Sequence, residues 1–374
     1  MIKRPFYAGK ELPAEEYFFD RKKELTRLKI ALLSKEPINI ALVGERRSGK
    51  TTLIKKIAKD IEKKQSILIK CEKLLPLDAK TFLQNLIREL VSRYFGKGGL
   101  LKERVKNLTK KLSIGLTIED INFWIEFGER GVSLKELMDR AFKIIASLNE
   151  VKPTIIFLDE FHELFKFGNE FIWALRAYIS DSKASFVVSS SWHRFMEKLQ
   201  DKEHPFFNFF EIVELKEVDE NDARAYLTKR IKIASMSFTP EVLNILIKDS
   251  QLRPYYIQLL ALKCFENALI EGKKTIDFEL YKRAFRDALS NIPNYLLADY
   301  RRLRGKTKEI FVSMCLYDFR KPAEIATKLS MDPSNVIQIL SQIIKNYSII
   351  KKINSEYEVK DNFLKEFVKA DLAS

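Results

Sequence analysis

A chain of 374 residues is long enough for two or three domains, and 46% hydrophobic with 31% charged residues describes a folded chain, which excludes disorder or low complexity as its main state. No stretch reaches the roughly 18 apolar residues of a membrane span, Met1 to Lys10 lack the apolar core of a signal peptide, and Cys71, Cys264 and Cys315 are too scattered for disulfide staples or a metal site. A cytoplasmic chain with no membrane partner is expected. The formal charge of +15 suggests a polyanionic partner, but it is uneven: residues 1–110 carry +14, residues 111–220 carry −7, and residues 301–374 carry +5.

The first buried strand is expected over Ile38 to Val43, an apolar run followed directly by Gly44-Glu45-Arg46-Arg47-Ser48-Gly49-Lys50-Thr51. With 12 glycines in the whole chain, two of them five residues apart in a GxxxxGK[ST] string are informative. Leu53, Ile54, Ile57, Ala58 and Ile61 then recur at helical spacing, so the string sits between a strand and a helix. That context favours a phosphate-binding loop over a basic surface turn. Gly44 and Gly49 would allow the tight turn that aims successive N–H groups at phosphate oxygens from the positive end of the helix. Lys50 would neutralise the β- and γ-phosphates, and the Thr51 hydroxyl would ligate Mg²⁺. Glu45, Arg46, Arg47, Ser48 and Thr52 complete the expected nucleotide-binding set.

A second strand is expected over Ser66 to Cys71. Between it and the third lies an insertion, Gly96 to Gly131, with a Lys-rich run (Lys97 to Lys111) and two alternating stretches that read as a hairpin, Ser113 to Leu116 and Asn122 to Phe127. The third strand, Thr154 to Leu158, ends in Asp159-Glu160. A carboxylate at a buried strand end needs a partner. Asp159 would hold Mg²⁺ through water, and Glu160 would act as general base on the attacking water. Taken alone the pair could equally cap a helix; beside a phosphate loop the catalytic reading leads. A fourth run, Ser185 to Ser189, ends in consecutive serines, of which Ser189 and Ser191 could reach the γ-phosphate or the lytic water, or simply cap the next helix. The fifth strand is Glu211 to Leu215. Helical stretches between the strands imply right-handed crossings and a mostly parallel sheet.

From Val218 to about Leu289 the pattern is helical, and Asn291-Ile292-Pro293 interrupts it. Residues 301–374 then read as a winged helix-turn-helix, with helices over Lys306 to Tyr317, Pro322 to Leu329 and Asn335 to Asn346, and a wing hairpin over Ile349 to Val359. Its third helix offers Ser334, Asn335, Gln338 and Gln342 but one cation. Arg301, Arg302, Arg304, Lys306, Lys308, Lys351 and Lys352 could supply phosphate contacts. Double-stranded DNA and a protein surface are both open as partners of this segment.

On these motifs the chain resembles the archaeal-type ATPases of the STAND branch of AAA+ proteins, relatives of origin-recognition initiators. Phe19-Asp20-Arg21-Lys22-Lys23-Glu24-Leu25 is similar to the family's N-terminal box, in which an Arg and a Glu precede the first helix near the adenine pocket; Asp20 stands where Gly is usual. Leu158 to Leu164 looks like the Asp-Glu strand and its turn, Pro205 to Leu215 like the approach to the last core strand, and Arg253-Pro254-Tyr255-Tyr256 like the Pro-Tyr motif that opens a lid helix. Two positions depart from the pattern. Asn208 follows the paired aromatics where the family often has Arg, and Leu252 replaces a Gly before Pro254. Arg176, Arg194 and Arg253 are the other cations that could stabilise charge at the nucleotide or face solvent instead.

The resemblance implies an α/β fold: a P-loop NTPase core with a parallel sheet at 1–217, a helical lid at 218–300 and a winged helix-turn-helix at 301–374. It implies ATP and Mg²⁺ as cofactors and an ATP-hydrolysing switch as function. Arg21 and Pro254 join the cofactor-binding set, and Ser189 joins Lys50 and Glu160 in the catalytic set. The competing reading is a DNA-binding protein in which nucleotide is structural, and a homo-oligomer or a protein client is compatible with either.

Overall fold

A computed structural model describes residues 4–9, 15–61, 65–71, 78–95, 132–191, 194–290, 294–347 and 349–373. The expected insertion hairpin at 96–131 lies outside the described residues. The chain divides into two compact units: Arg21–Lys216, and Glu217 onward together with the residues before Arg21.

In the first unit, α1 (Lys22–Leu32) precedes β1 (Asn39–Gly44) and α2 (Lys50–Asp60). Then come β2 (Gln65–Lys70), α3 (Ala79–Phe95), α4 (Leu134–Val151) and β3 (Thr154–Asp159). A 3₁₀ turn (Phe161–Phe167), α5 (Asn169–Asp181), β4 (Ser185–Ser190), α6 (Phe195–Gln200) and β5 (Glu211–Leu215) complete it. The five strands form one parallel sheet in the order β2-β3-β4-β1-β5. Every residue of β3 and β4 is buried, which is why Ile155 to Leu158 and Phe186 to Val188 read as unbroken apolar stretches rather than alternating ones. Burying each such Ile, Leu or Phe contributes about 1.5–3 kcal/mol.

The order matters more than the strand count. β4 lies between β1 and β3, with Val43 opposite Ser190 and Leu158 opposite Val188. The carboxyl ends of the phosphate-loop strand, the Asp-Glu strand and the serine-rich strand therefore emerge side by side, the place where open α/β sheets bind ligands. The outer strand β5 carries exposed Glu211, held by Arg27 at 2.7 Å, a charge on a free sheet edge that discourages pairing with another strand.

The second unit contains α7 (Glu220–Ile231), α8 (Pro240–Ser250), α9 (Pro254–Ile270) and α10 (Phe278–Leu289). The carboxylates of Asp219 and Asp277 and the hydroxyl of Thr239 accept the first free N–H groups of α7, α10 and α8. Short strands β6 (Ser237–Phe238) and β7 (Thr275–Ile276) pair in parallel. After α11 (Asn294–Arg302), the winged segment comprises α12 (Gly305–Tyr317), α13 (Pro322–Leu329), α14 (Pro333–Asn346) and the antiparallel hairpin β8 (Ile350–Ile353) and β9 (Glu356–Val359). A final helix, α15 (Asn362–Ala373), was not expected from the sequence. No helix among the described residues is long and apolar enough to cross a membrane.

One boundary differs from expectation. The described residues before Arg21 pack into the second unit, not into the P-loop core to which the sequence reading assigned them. Phe6 is fully buried among lid residues, Phe19 stacks on Tyr226 at 4.1 Å, and Arg230 donates to the Pro5 carbonyl at 2.8 Å while lying over the Tyr17 ring. Gln258 donates to the Tyr17 carbonyl and accepts from the Tyr7 amide. The described part of this N-terminal stretch holds only a single 3₁₀ turn (Glu15–Tyr17), and its aromatic side chains are buried against the helices of the second unit.

Candidate functional site

β1 runs straight into the glycine loop. Gly44 pairs with Leu215 on β5, and a β-carbon on Gly44 would sit 2.8 Å from the Leu215 carbonyl oxygen, so no larger residue fits without moving backbone. Gly49 has φ +95°, a conformation that glycine adopts without a steric penalty, and there α2 begins. The loop thus delivers the positive end of an 11-residue helix to the sheet edge. Glu45 and Arg46 are exposed, Arg47, Thr51 and Thr52 are half-buried, and Ser48 and Lys50 are buried. The Ser48 hydroxyl, fully enclosed, makes no hydrogen bond among the described residues.

The Lys50 ammonium donates to the carbonyls of Gly44 (2.9 Å) and Glu45 (2.7 Å), curling over the loop. Burial lowers its pKa to about 8, against the opposing pull of Glu160 and Asp159. Two anionic side chains close to a buried lysine, and loop N–H groups at a helix start, make a polarised cleft suited to an anion bridged by a cation.

Thr51 and Asp159 meet there: the Thr51 hydroxyl donates to Asp159 Oδ2 at 2.7 Å. Asp159 is itself buried, and its other oxygen accepts from the Ser189 hydroxyl, which in turn accepts the Glu160 amide at 3.2 Å. Ser189 is completely buried, and its hydroxyl proton is committed to Asp159. It fixes the turn from β3 into Glu160. The hard oxygen donors of Thr51 and Asp159 suit Mg²⁺ by their chemistry.

Glu160 sits at φ 57°, in the left-handed region that swings its side chain away from the strand line. Its Oε2 accepts from the Ser191 amide (3.2 Å) and the Ser191 hydroxyl (2.8 Å), and His162 Nδ1 lies 3.4 Å away. Ser190 Oγ is 3.0 Å from the same ring nitrogen, and Glu163 lies 3.7 Å from Nε2. Burial holds the His162 pKa below its ordinary value, despite the raising effects of Glu160 and Glu163. Glu160 Oε1 accepts no hydrogen bond among the described residues. His162 was missed in the sequence as a neighbour of the site; its position two residues after Glu160, on a turn doubling back to β4, is the signal that could have found it.

Arg21 immediately precedes α1, with its guanidinium on the Ser48 and Lys216 carbonyls. Pro254 opens α9 in the second unit, where Arg253 is bound to Asp361 (2.8 Å) and the Lys360 carbonyl. Asn208 is exposed at φ 53°, a tight turn in which Asn is tolerated far better than most residues. Arg176 lies over the Phe209 ring at 5.1 Å. Cys71, at the end of β2, is buried, and burial together with nearby Asp159 and Glu160 pushes its thiol pKa up.

Residues 35–195 match the family described as an AAA domain. No curated protein matches the chain. Among solved structures the chain is similar to a Walker-type ATPase of Pyrococcus abyssi, at 19% identity over 94% of this chain and 96% of that one, TM-score 0.66. It is also similar to the ORC2 protein of Aeropyrum pernix in its ADPNP and ADP complexes, at 12% identity over 98% and 97%, TM-score 0.57. At such identities the likeness establishes the fold: a P-loop α/β core followed by helices and a small antiparallel hairpin.

Proposed function

We propose that the AAA domain at residues 35–195 binds and hydrolyses ATP with Mg²⁺, and that nucleotide state is coupled to the lid and winged-helix unit as a molecular switch. The observation that carries the reading is the Thr51–Asp159 hydrogen bond, which joins the phosphate loop to the Asp-Glu strand at the carboxyl ends of the strands. Loop amides and the Lys50 ammonium would bind the β- and γ-phosphates. Thr51 and Asp159 would hold Mg²⁺, which supplies charge neutralisation on the phosphate oxygens when bound.

Glu160 is assigned the general base. Ser191 anchors its Oε2, and this leaves Oε1 to orient a water and take its proton. Ser189 keeps Asp159 and the Glu160 backbone in register. The test is Glu160→Gln in the full chain: ATP binding is expected to persist while turnover falls about 10²–10⁴-fold, the usual worth of a positioned base. Turnover equal to the parent overturns the assignment.

A second reading, duplex DNA binding through the winged segment, has one supporting observation: Ser334, Asn335, Gln338 and Gln342 form an exposed polar face of α14. Among the cations expected to clamp phosphates, Lys306 pairs with Glu309 and Lys351 with Glu358, while Lys308 and Lys352 lie over the Tyr300 and Tyr357 rings. A labelled duplex titrated across salt separates the readings, because phosphate-driven binding falls steeply with salt.

A further inference from the structure

We infer that Arg21 is a positioning residue of the phosphate loop: it aims the Gly49 N–H at the nucleotide phosphates by gripping the carbonyl of the same peptide, and it ties that peptide to the end of β5. The inference rests on the ATP-binding reading above.

Asp20 and Arg21 both have positive φ, 60° and 68°. Two successive left-handed residues with β-carbons are a costly way to enter a helix, and neither supplies a side-chain cap to α1. What the backbone conformation achieves is to turn the Arg21 side chain inward, where it is 5% exposed. A buried guanidinium must be paired and hydrogen-bonded. One terminal nitrogen meets Glu24 Oε1 at 3.1 Å, and the other donates to two carbonyls remote in sequence, Ser48 at 3.2 Å and Lys216 at 2.6 Å.

Ser48 and Gly49 share one trans peptide plane, in which C=O and N–H point in opposite directions. Holding the Ser48 oxygen on one side of the loop therefore fixes the Gly49 N–H on the other, facing the cleft that contains Lys50 and Thr51. A cation on the carbonyl also polarises the peptide and strengthens its N–H as a donor. The second carbonyl belongs to Lys216, the last residue of the first unit, immediately after β5. Leu215, its neighbour, presses against Gly44 at the other end of the same loop. The loop is thus gripped at both ends by the terminus of β5, and Arg21 is the polar half of the grip. A lysine in its place keeps the charge but loses the planar fork that reaches Glu24 and two carbonyls together.

An amide that meets phosphate equally in the bound and reacting complexes affects affinity rather than turnover at saturation. In Arg21→Lys, ATP and ADP affinities are expected to weaken about tenfold, as for loss of one to two charge-assisted hydrogen bonds, with kcat within about twofold of the parent. In the parent, ATP is expected to slow amide hydrogen exchange over residues 214–218, and Arg21→Lys to abolish that ATP-dependent protection while its melting profile stays cooperative. Parental affinity in Arg21→Lys, or a loss confined to kcat, overturns the inference, as does ATP-bound parent protein without protection at 214–218. That last measurement does not depend on the variant folding. A parent chain that binds no ATP removes the nucleotide reading itself, whereas a parent that binds ATP with an indifferent Arg21 removes this inference alone.

Discussion

The Thr51 hydroxyl and the Asp159 carboxylate, 108 residues apart in the chain, are joined by a 2.7 Å hydrogen bond across the edge of the sheet. Because β4 separates their strands in the sheet, the contact needs both the glycine loop to fold over and the β3 end to turn toward it. Thr51→Val and Asp159→Asn are each expected to lower ATP turnover about 100-fold or more, equivalent to the several kcal/mol a bound cation supplies. Turnover against Mg²⁺ concentration checks this: both variants should need far more Mg²⁺ than the parent. Parental Mg²⁺ dependence would remove these residues from the metal site.

Ser191 supplies two donors to one oxygen of Glu160. Removing its hydroxyl leaves the amide but loosens the carboxylate, so Ser191→Ala should lower kcat about tenfold, within the range lost when a base is no longer well placed. ATP affinity should not change, since Ser191 is assigned no phosphate contact. Ser191→Thr, which keeps the hydroxyl, should recover most of the rate. Equal kcat in Ser191→Ala and parent would mean that Glu160 is held by other groups.

Gly44 and Gly49 are constrained for different reasons. At Gly44 the obstacle is the Leu215 carbonyl, 2.8 Å from an added β-carbon, whereas Gly49 has open space but φ +95°. Gly49→Ala is therefore expected to cost about 1–2 kcal/mol of stability through strain and to keep the β1–β5 pairing. Gly44→Ala should force the loop away from Leu215 and abolish nucleotide binding. Thermal melts with and without ATP distinguish the two: a ligand-induced rise should survive, reduced, only in Gly49→Ala.

The legibility of this chain follows the range of its interactions. β1, β3 and β4 are short, buried on both faces and bounded by Gly, Asp-Glu and Ser, so the apolar runs and their terminal residues were readable directly, and with them the α/β class. The Asp159–Ser189 bond is anticipated only in part, because a serine at a strand end says nothing of which neighbour it will face. The burial of Phe6 in the second unit and the Arg253–Asp361 pair were not readable, since each joins residues more than 100 positions apart with no local pattern to mark it. Arg21 was legible as a motif position; its grip on Ser48 and Lys216 was not, because backbone carbonyls have no sequence signature.

Asp249 gives the second unit a pH signature. Burial raises its pKa above the usual carboxylate value, only partly offset by the hydrogen bond from Tyr281, and Glu366 adds to the rise while Lys248 opposes it. The folded chain thus holds this proton more tightly than the unfolded chain does. Its stabilising effect is complete below the unfolded pKa and is lost as pH rises through the higher folded value. Asp249→Asn can still accept from Tyr281 without carrying a charge. It is expected to raise the melting temperature at pH 7 by about 1–3 °C, and to flatten the fall in stability over the mildly acidic range. A parental pH profile in Asp249→Asn would show that another group is responsible.

Arg253 and Asp361 form a buried ion pair linking the start of α9 to the start of α15. Asp361 is 1% exposed; it accepts from Arg253 at 2.8 Å, from the Tyr256 hydroxyl at 2.6 Å and from the Leu364 amide at 3.1 Å. Tyr256 also stacks on Phe363 at 4.1 Å, so the polar pair sits against an apolar contact between the same two helices. Asp361→Ala strands a nearly buried guanidinium and should cost about 3–5 kcal/mol. Replacing both partners with apolar residues, Arg253→Met with Asp361→Leu, removes the stranded charge and should cost much less than the single change, although Tyr256 then loses its acceptor. Denaturant melts of the two singles and the double give the coupling directly. A double variant as unstable as the sum of the singles would mean that Arg253 and Asp361 contribute independently, through their separate contacts with Lys360 and Leu364.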